Sequence, residues 1–135
     1  MYSLARLAMN MGYRVSGSDL TPSAYTENLS SLGAEIFYTH DEEHTVGAEA
    51  VVYSHAIARD NPELLAAMRS GVGIYSRAEL LGLFMKSFEC RIGVSGSHGK
   101  STTSAMVYHI LQRLGKSPTA AIGAPVLSGM PFAQG

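Results

Sequence analysis

The sequence predicts an α/β fold built on a parallel sheet, and three observations carry that prediction. Short β-branched runs alternate with stretches of helical periodicity, which is how chained β-α units read. Start and stop residues bracket the helical stretches at the right offsets, as Asn61-Pro62 and Gly71 do. A glycine-rich run, Gly96 to Thr102, falls where a strand should hand over to a helix.

The elements follow in order. Leu4, Leu7, Ala8 and Met11 recur at helical spacing and Gly12 stops them, so the chain opens inside a helix. "YRVSGSD" is a strand that ends on Ser16, Ser18 and Asp19. In "TPSAYTENLSSLG" the pattern predicts a helix with Thr21 as its N-cap, Pro22 at the first helical position and Gly33 at its close. "AEIFYTH" is a strand, "DEEHTVG" a polar connection, and "EAVVYSHAI" an apolar strand of the kind buried on both faces.

Asn61 then caps a helix that Gly71 ends, with Leu64, Leu65 and Met68 as its expected buried stripe. "VGIYS" is a short strand, and "RAELLGLFMKSF" a helix packing through Leu80, Leu81, Phe84 and Phe88. From Arg91 the pattern restarts: "RIGVSGS" reads as a strand, and a helix from Lys100 to Leu114 stops at Gly115. "SPTAAIG" is one more strand, and "APVLSGMPFAQG" is loop-like. The expected domain boundary lies between Phe88 and Arg91, which gives one unit over 1–88 and the start of a second over 89–135.

Composition narrows the functional classes. Hydrophobic residues make up 46% of the 135 positions and charged ones 16%, a globular balance. A net charge of -1, with no clustered Lys/Arg run, argues against a nucleic-acid surface. No apolar stretch approaches the roughly 20 residues a membrane span needs. The N-terminus lacks a secretion signal. The single cysteine, Cys90, cannot form an internal disulfide, and a reducing cytoplasm is the simplest setting; it reads as a small hydrophobe in preference to a reactive thiol. His40, His44 and His109 show no ligand spacing and read as surface residues.

The run from Gly96 carries the chemistry. A strand, then Gly96-Ser97-His98-Gly99-Lys100-Ser101-Thr102, then a helix is the arrangement anion binding needs. Glycines let backbone N–H groups turn inward, and the helix N-terminus adds partial positive charge at the same spot. Lys100 would reach the β- and γ-phosphates of a nucleotide, and the Ser101 hydroxyl would complete the coordination of Mg²⁺. The usual phosphate loop has a glycine where Val94 stands, so the loop belongs to a variant class. The plainer alternative is a glycine-rich turn with an N-capping serine.

Gly-Ser-His-Gly-Lys-Ser-Thr-Thr is similar to the G-T-x-G-K-T/S-T loop of the Mur ligases, the ATP-dependent amino-acid-adding enzymes of peptidoglycan synthesis. "GYRVSGSDL", "VVYSHAIARDNPEL" and "SRAELL" extend the resemblance through nearly the whole chain. Within the family, His98 and Arg77-Ala78-Glu79 resemble the member that joins L-alanine to UDP-N-acetylmuramate, with the murein peptide ligase as nearest competitor. The resemblance implies a Rossmann-like domain for the UDP-sugar, lacking its first strand here, followed by the start of a P-loop ATP-binding domain. It also implies an acyl phosphate on the lactyl carboxylate, attacked by the alanine amine.

By the same resemblance Lys100 and His98 are the catalytic candidates, Thr102 adds a hydroxyl near the α/β-phosphates, and Ser18, Asp19, Ser54 and Arg77 are the substrate-binding candidates. Each has a plainer alternative: His98 only shapes the loop, Asp19 is a turn residue, and Arg77 is a solvated helix-start arginine. The family tends to have a second serine where His55 stands, which bears on the Ser54 contact. Its diphosphate loop, acidic Mg²⁺ ligand, adenine pocket and amino-acid domain have no counterpart in this sequence. The expectation is therefore a piece of a larger enzyme, inactive by itself and prone to self-association through unpaired strand edges. A different P-loop NTPase and a non-catalytic nucleotide-binding or interaction module are the other readings.

Overall fold

The computed structural model describes residues 1–123 and 132–134. Its elements are α1 (Tyr2–Asn10), β1 (Ser16–Ser18), α2 (Ala24–Ser31), β2 (Glu35–Phe37), a 3-10 turn (Glu42–Thr45), β3 (Ala50–Tyr53), α3 (Pro62–Ser70), β4 (Gly73–Ser76), α4 (Arg77–Met85), α5 (Lys100–Arg113), β5 (Thr119–Ala121) and β6 (Phe132–Gln134). The fold is α/β. β1 pairs parallel with β2, Ser16 opposite Glu35, and β3 parallel with β4, Ala50 opposite Gly73. β5 and β6 form a separate antiparallel pair with Thr119 opposite Gln134. Among the described residues β1 and β3 each pair on one side only.

α1 is the hub of the core. Its spacing puts Leu4, Leu7 and Ala8 on one buried face, with Tyr2 and Ser3 also buried. That face meets Leu29 of α2, Ala34, Phe84 of α4 and Phe132 of β6, with Val15, Ile36, Val52, Leu80, Leu81 and Phe88 packed around them. Burying each leucine contributes about 1.5–3 kcal/mol. Polar ties fix the rim: the Tyr2 hydroxyl donates to Asn28 Oδ1 at 2.6 Å, Arg6 donates to the same oxygen at 3.2 Å, and the Ser3 hydroxyl donates to the Ile122 carbonyl at 3.1 Å. The Arg6 guanidinium also lies 5.4 Å from the centre of the Phe132 ring.

Several elements differ from the sequence reading. α2 is capped by Ser23, whose hydroxyl accepts from the Thr26 N–H while the Thr26 hydroxyl accepts from the Ser23 N–H. Thr21 lies two residues upstream of this cap, in a turn where its N–H donates to Asp19 Oδ1 at 3.1 Å, and Ala24, three residues after it, has no side chain to return the bond that Thr26 gives Ser23. In α3 the Asn61 cap and the left-handed Gly71 stop (φ 71) stand as read. Its inward face, however, is Leu64 and the fully buried Ala67, and Leu65 and Met68 are exposed. The small Ala67 side chain lets α3 lie close against its neighbours.

β3 is only half-buried along Val51–Tyr53, not covered on both faces. Arg91–Val94 forms no strand, because no described element runs beside it to complete a ladder, and Ile92 is exposed. The segment read as a terminal loop contributes β6 at Phe132–Gln134, and the rest of that expectation, over 124–131 and 135, lies outside the described residues. Cys90 is exposed, so it is not part of a packed junction. No helix among the described residues is long and apolar enough to cross a membrane.

Candidate functional site

Two regions gather the candidate residues. The first is the turn into α5. Gly99 is its N-cap residue with φ 75, a left-handed conformation that disfavours any residue with a Cβ. No side chain caps the helix, and its first turn holds no acid. Thr103 is the first residue whose N–H reaches back, to the Gly99 carbonyl at 2.9 Å. Among the described residues no protein acceptor takes the N–H groups of Ser97 to Thr102. A row of unpaired donors therefore faces the positive end of a 14-residue helix.

Lys100 belongs to the same turn. Its Nζ donates to the carbonyls of Gly96 at 2.6 Å and Ser97 at 3.2 Å, which holds the ammonium over the loop. His98 and Thr102 are exposed and Ser101 is half-buried. No described group of three or more His, Cys, Asp or Glu is placed to hold a metal ion. The Ser101 hydroxyl is a hard oxygen of the kind that Mg²⁺ accepts beside phosphate oxygens and water.

The second region lies at the carboxyl ends of the parallel strands, where α/β sheets bind ligands. β1 ends on Ser18, β3 on Tyr53 and β4 on Ser76. Asp19 donates its N–H to the Phe37 carbonyl at 3.0 Å, and its carboxylate forms the turn to Thr21. Ser54 accepts from the Ala56 N–H at 3.3 Å. Arg77 opens α4, exposed. Both Asp19 and Arg77 lie near the start of α1: the Met1 ammonium is pulled below its ordinary pKa by burial and then by Arg77, with Asp19 opposing. Ser76 and Glu79 form a capping box, and the Glu79 carboxyl is held low by the Ser76 hydroxyl and N–H, with a smaller contribution from nearby His55.

Sequence reasoning missed the most tightly bonded part of this region. The Ser18 hydroxyl donates to Glu63 Oε2 at 2.6 Å, His40 Nδ1 lies 2.9 Å from that oxygen, and His44 Nδ1 lies 2.9 Å from Oε1. His40 and His44 are therefore not free surface residues; their side chains are 19% and 16% exposed. His44 also stacks on Phe37 at 3.9 Å between ring centres. Burial works to raise the Glu63 pKa, but the hydrogen bonds from Ser18, His44 and His40 outweigh it and hold the carboxyl below its ordinary range. Among the described residues no hydrogen bond, ion pair or ring contact joins this region to the Gly96–Thr102 turn.

The chain as a whole has relatives in a known family. The model for "Mur ligase family, catalytic domain" matches residues 1–89. The chain is similar to a UDP-N-acetylmuramate--L-alanine ligase of Caldicellulosiruptor bescii, with 47% identity over 92% of this chain and 27% of that protein. It also resembles the crystal structure of UDP-N-acetylmuramate-alanine ligase from Thermotoga maritima (TM-score 0.91, 31% identity, all of this chain and 32% of that one). A murein peptide ligase from Psychrobacter arcticus follows at TM-score 0.83 and 26% identity, over 98% of this chain and 30% of that one. The chain spans about a quarter of the length of the curated relatives it matches. The match over residues 1–89, the identity to these ligases and the shared architecture make the chain a member of the Mur ligase family.

Proposed function

We propose that this chain supplies the nucleotide-sugar platform and the ATP loop of a cytoplasmic ligase that adds L-alanine to UDP-N-acetylmuramate through an acyl phosphate. The observation that carries the reading is the turn into α5, which holds unpaired N–H groups from Ser97 to Thr102, a left-handed Gly99 and the Lys100 ammonium within one short run. In this reading 1–88 is a Rossmann-like domain and 89–135 opens a P-loop domain. Identity to alanine ligases, 47% for the C. bescii protein, favours that member over the murein peptide ligase.

The residues divide the work. Loop amides and Lys100 bind the triphosphate and offset the negative charge that grows on the transferring phosphoryl oxygens. Lys100 exchanges its carbonyl partners for phosphate oxygens. Ser101 would hold Mg²⁺, which supplies further charge neutralisation when bound. Gly96, Ser97, Gly99 and Thr102 shape and line the phosphate cradle, and His98 reaches from it toward the substrate carboxylate. Ser18, Asp19, Ser54 and Arg77 hold the UDP-sugar, with Asp19 at its uridine end and Arg77 toward the diphosphate. The unpaired sides of β1 and β3 also leave strand edges through which copies of the chain associate.

Calorimetric titration with UDP-N-acetylmuramate and, separately, with Mg-ATP tests the reading. Binding of both is the expected result. ATP alone would favour a generic NTPase, and neither would leave a non-catalytic module.

A further inference from the structure

Ser18 has a single hydroxyl proton, and Glu63 takes it. With the donor committed to Glu63 Oε2 at 2.6 Å, and His40 Nδ1 shared between that oxygen at 2.9 Å and the hydroxyl oxygen at 3.0 Å, Ser18 can offer a ligand only lone pairs. An oxygen so placed accepts hydrogen bonds and does not donate them. It suits a sugar hydroxyl or a base N–H and is wrong for a phosphate oxygen.

We propose that Glu63 is a positioning residue of the nucleotide-sugar site: it clamps the Ser18 hydroxyl as an acceptor for the hydrogen-bond donors of the nucleoside end. The inference rests on the UDP-sugar reading above. Three parts of the chain meet in the clamp. Glu63 comes from the first turn of α3, Ser18 ends β1, and after β2 His40 precedes the 3-10 turn and His44 lies within it. Both carboxylate oxygens are occupied and the Glu63 side chain is 14% exposed, so its rotamer is fixed by its partners. Asn61 anchors the backbone beneath it, its Oδ1 accepting from the Glu63 N–H at 3.0 Å. Asp19, next in the chain, is tied to β2 by its N–H and to Thr21 by its carboxylate.

The test is a double-mutant cycle on the 135-residue chain, with wild type, E63Q, S18A and E63Q/S18A titrated with UDP-N-acetylmuramate, uridine, inorganic pyrophosphate and Mg-ATP. Circular dichroism checks the fold of each. E63Q removes the charge and leaves one acceptor oxygen for the Ser18, His40 and His44 partners that two oxygens shared, so this variant should weaken uridine and UDP-N-acetylmuramate binding about three- to tenfold. Pyrophosphate and Mg-ATP should be unaffected. S18A should lose as much, and the double variant no more than either single one, because Glu63 acts through Ser18. Should E63Q fail to fold, E63D keeps the charge at the start of α3 while falling short of Ser18, and is read the same way.

Wild-type affinity for uridine in E63Q, multiplied losses in the double variant, or a loss confined to pyrophosphate would overturn the inference alone. A wild-type chain that takes Mg-ATP but neither uridine nor UDP-N-acetylmuramate would overturn the UDP-sugar reading and the inference with it.

Discussion

The turn into α5 and the Ser18–Glu63 clamp are opposites in their hydrogen bonding. At the turn, the N–H groups of Ser97 to Thr102 have no described protein acceptor and the charge of Lys100 rests on two carbonyls. In the clamp, every carboxylate oxygen is used and the partners are half-buried. An unpaired row of donors is ready to meet a strong anion, whereas a saturated network holds a shape and leaves one atom to choose among neutral donors. In the proposed function the two regions divide along the same chemical line, the triphosphate of ATP at the turn and the nucleoside of the UDP-sugar at the clamp.

The largest break in that comparison should come from Lys100→Met. Removing a charge-assisted hydrogen bond costs about 1.5–3 kcal/mol, so Mg-ATP affinity should fall roughly 10- to 150-fold by calorimetry. UDP-N-acetylmuramate affinity should stay as it was. Equal losses for both ligands would mean the two regions are one. Next is Gly99→Ala, which forces a Cβ into the left-handed region at about 1–2 kcal/mol. Nothing within 4 Å would clash with that Cβ, so the penalty is conformational. It should weaken Mg-ATP binding about five- to thirtyfold, and a wild-type affinity would show that the N-cap conformation is unimportant.

Asn61→Ala acts on the other side. Losing the cap costs about 1 kcal/mol, visible as a lower thermal midpoint and weaker uridine binding with unchanged Mg-ATP binding. The smallest effect is on pH. Hydrogen bonds hold the folded Glu63 below its ordinary 4.5, so its contribution is present above that pH and is lost as the pH falls through the lower folded value. The acid limb of a stability-against-pH curve should flatten in E63Q. An unchanged limb would remove Glu63 from the account.

The two regions also differed in how plainly the sequence announced them. The turn into α5 is one contiguous run whose residue types and order carry their own mechanism, and Gly99 took the conformation its position demands. Local signals worked likewise for Asn61-Pro62 and Gly71 in α3. The clamp joins residues that are 19 to 45 positions apart, and no spacing rule links Ser18 to Glu63. The only hint was an acid in a helix's first turn, which dipole arguments explain without any partner.

The reciprocal Ser23–Thr26 bonds explain the displaced cap, since Ala24 offers Thr21 no such return bond. Periodicity marked α3 as amphipathic but set its inward face one residue off, toward Leu65 and Met68 in place of Ala67. Which side of a helix is covered depends on the neighbours it meets. Strand formation has the same dependence: Arg91–Val94 has strand chemistry and no ladder partner among the described residues.

The central claim is that the amides around Gly99 grip a polyphosphate while the strand ends hold the nucleoside. Backbone amide shifts of the labelled chain, recorded on adding Mg-ATP, test it most directly. Large shifts confined to Gly96–Thr102, with Ser18 and Asp19 unmoved, are predicted. Saturating Mg-ATP that left the Gly96–Thr102 amides where they were would contradict it.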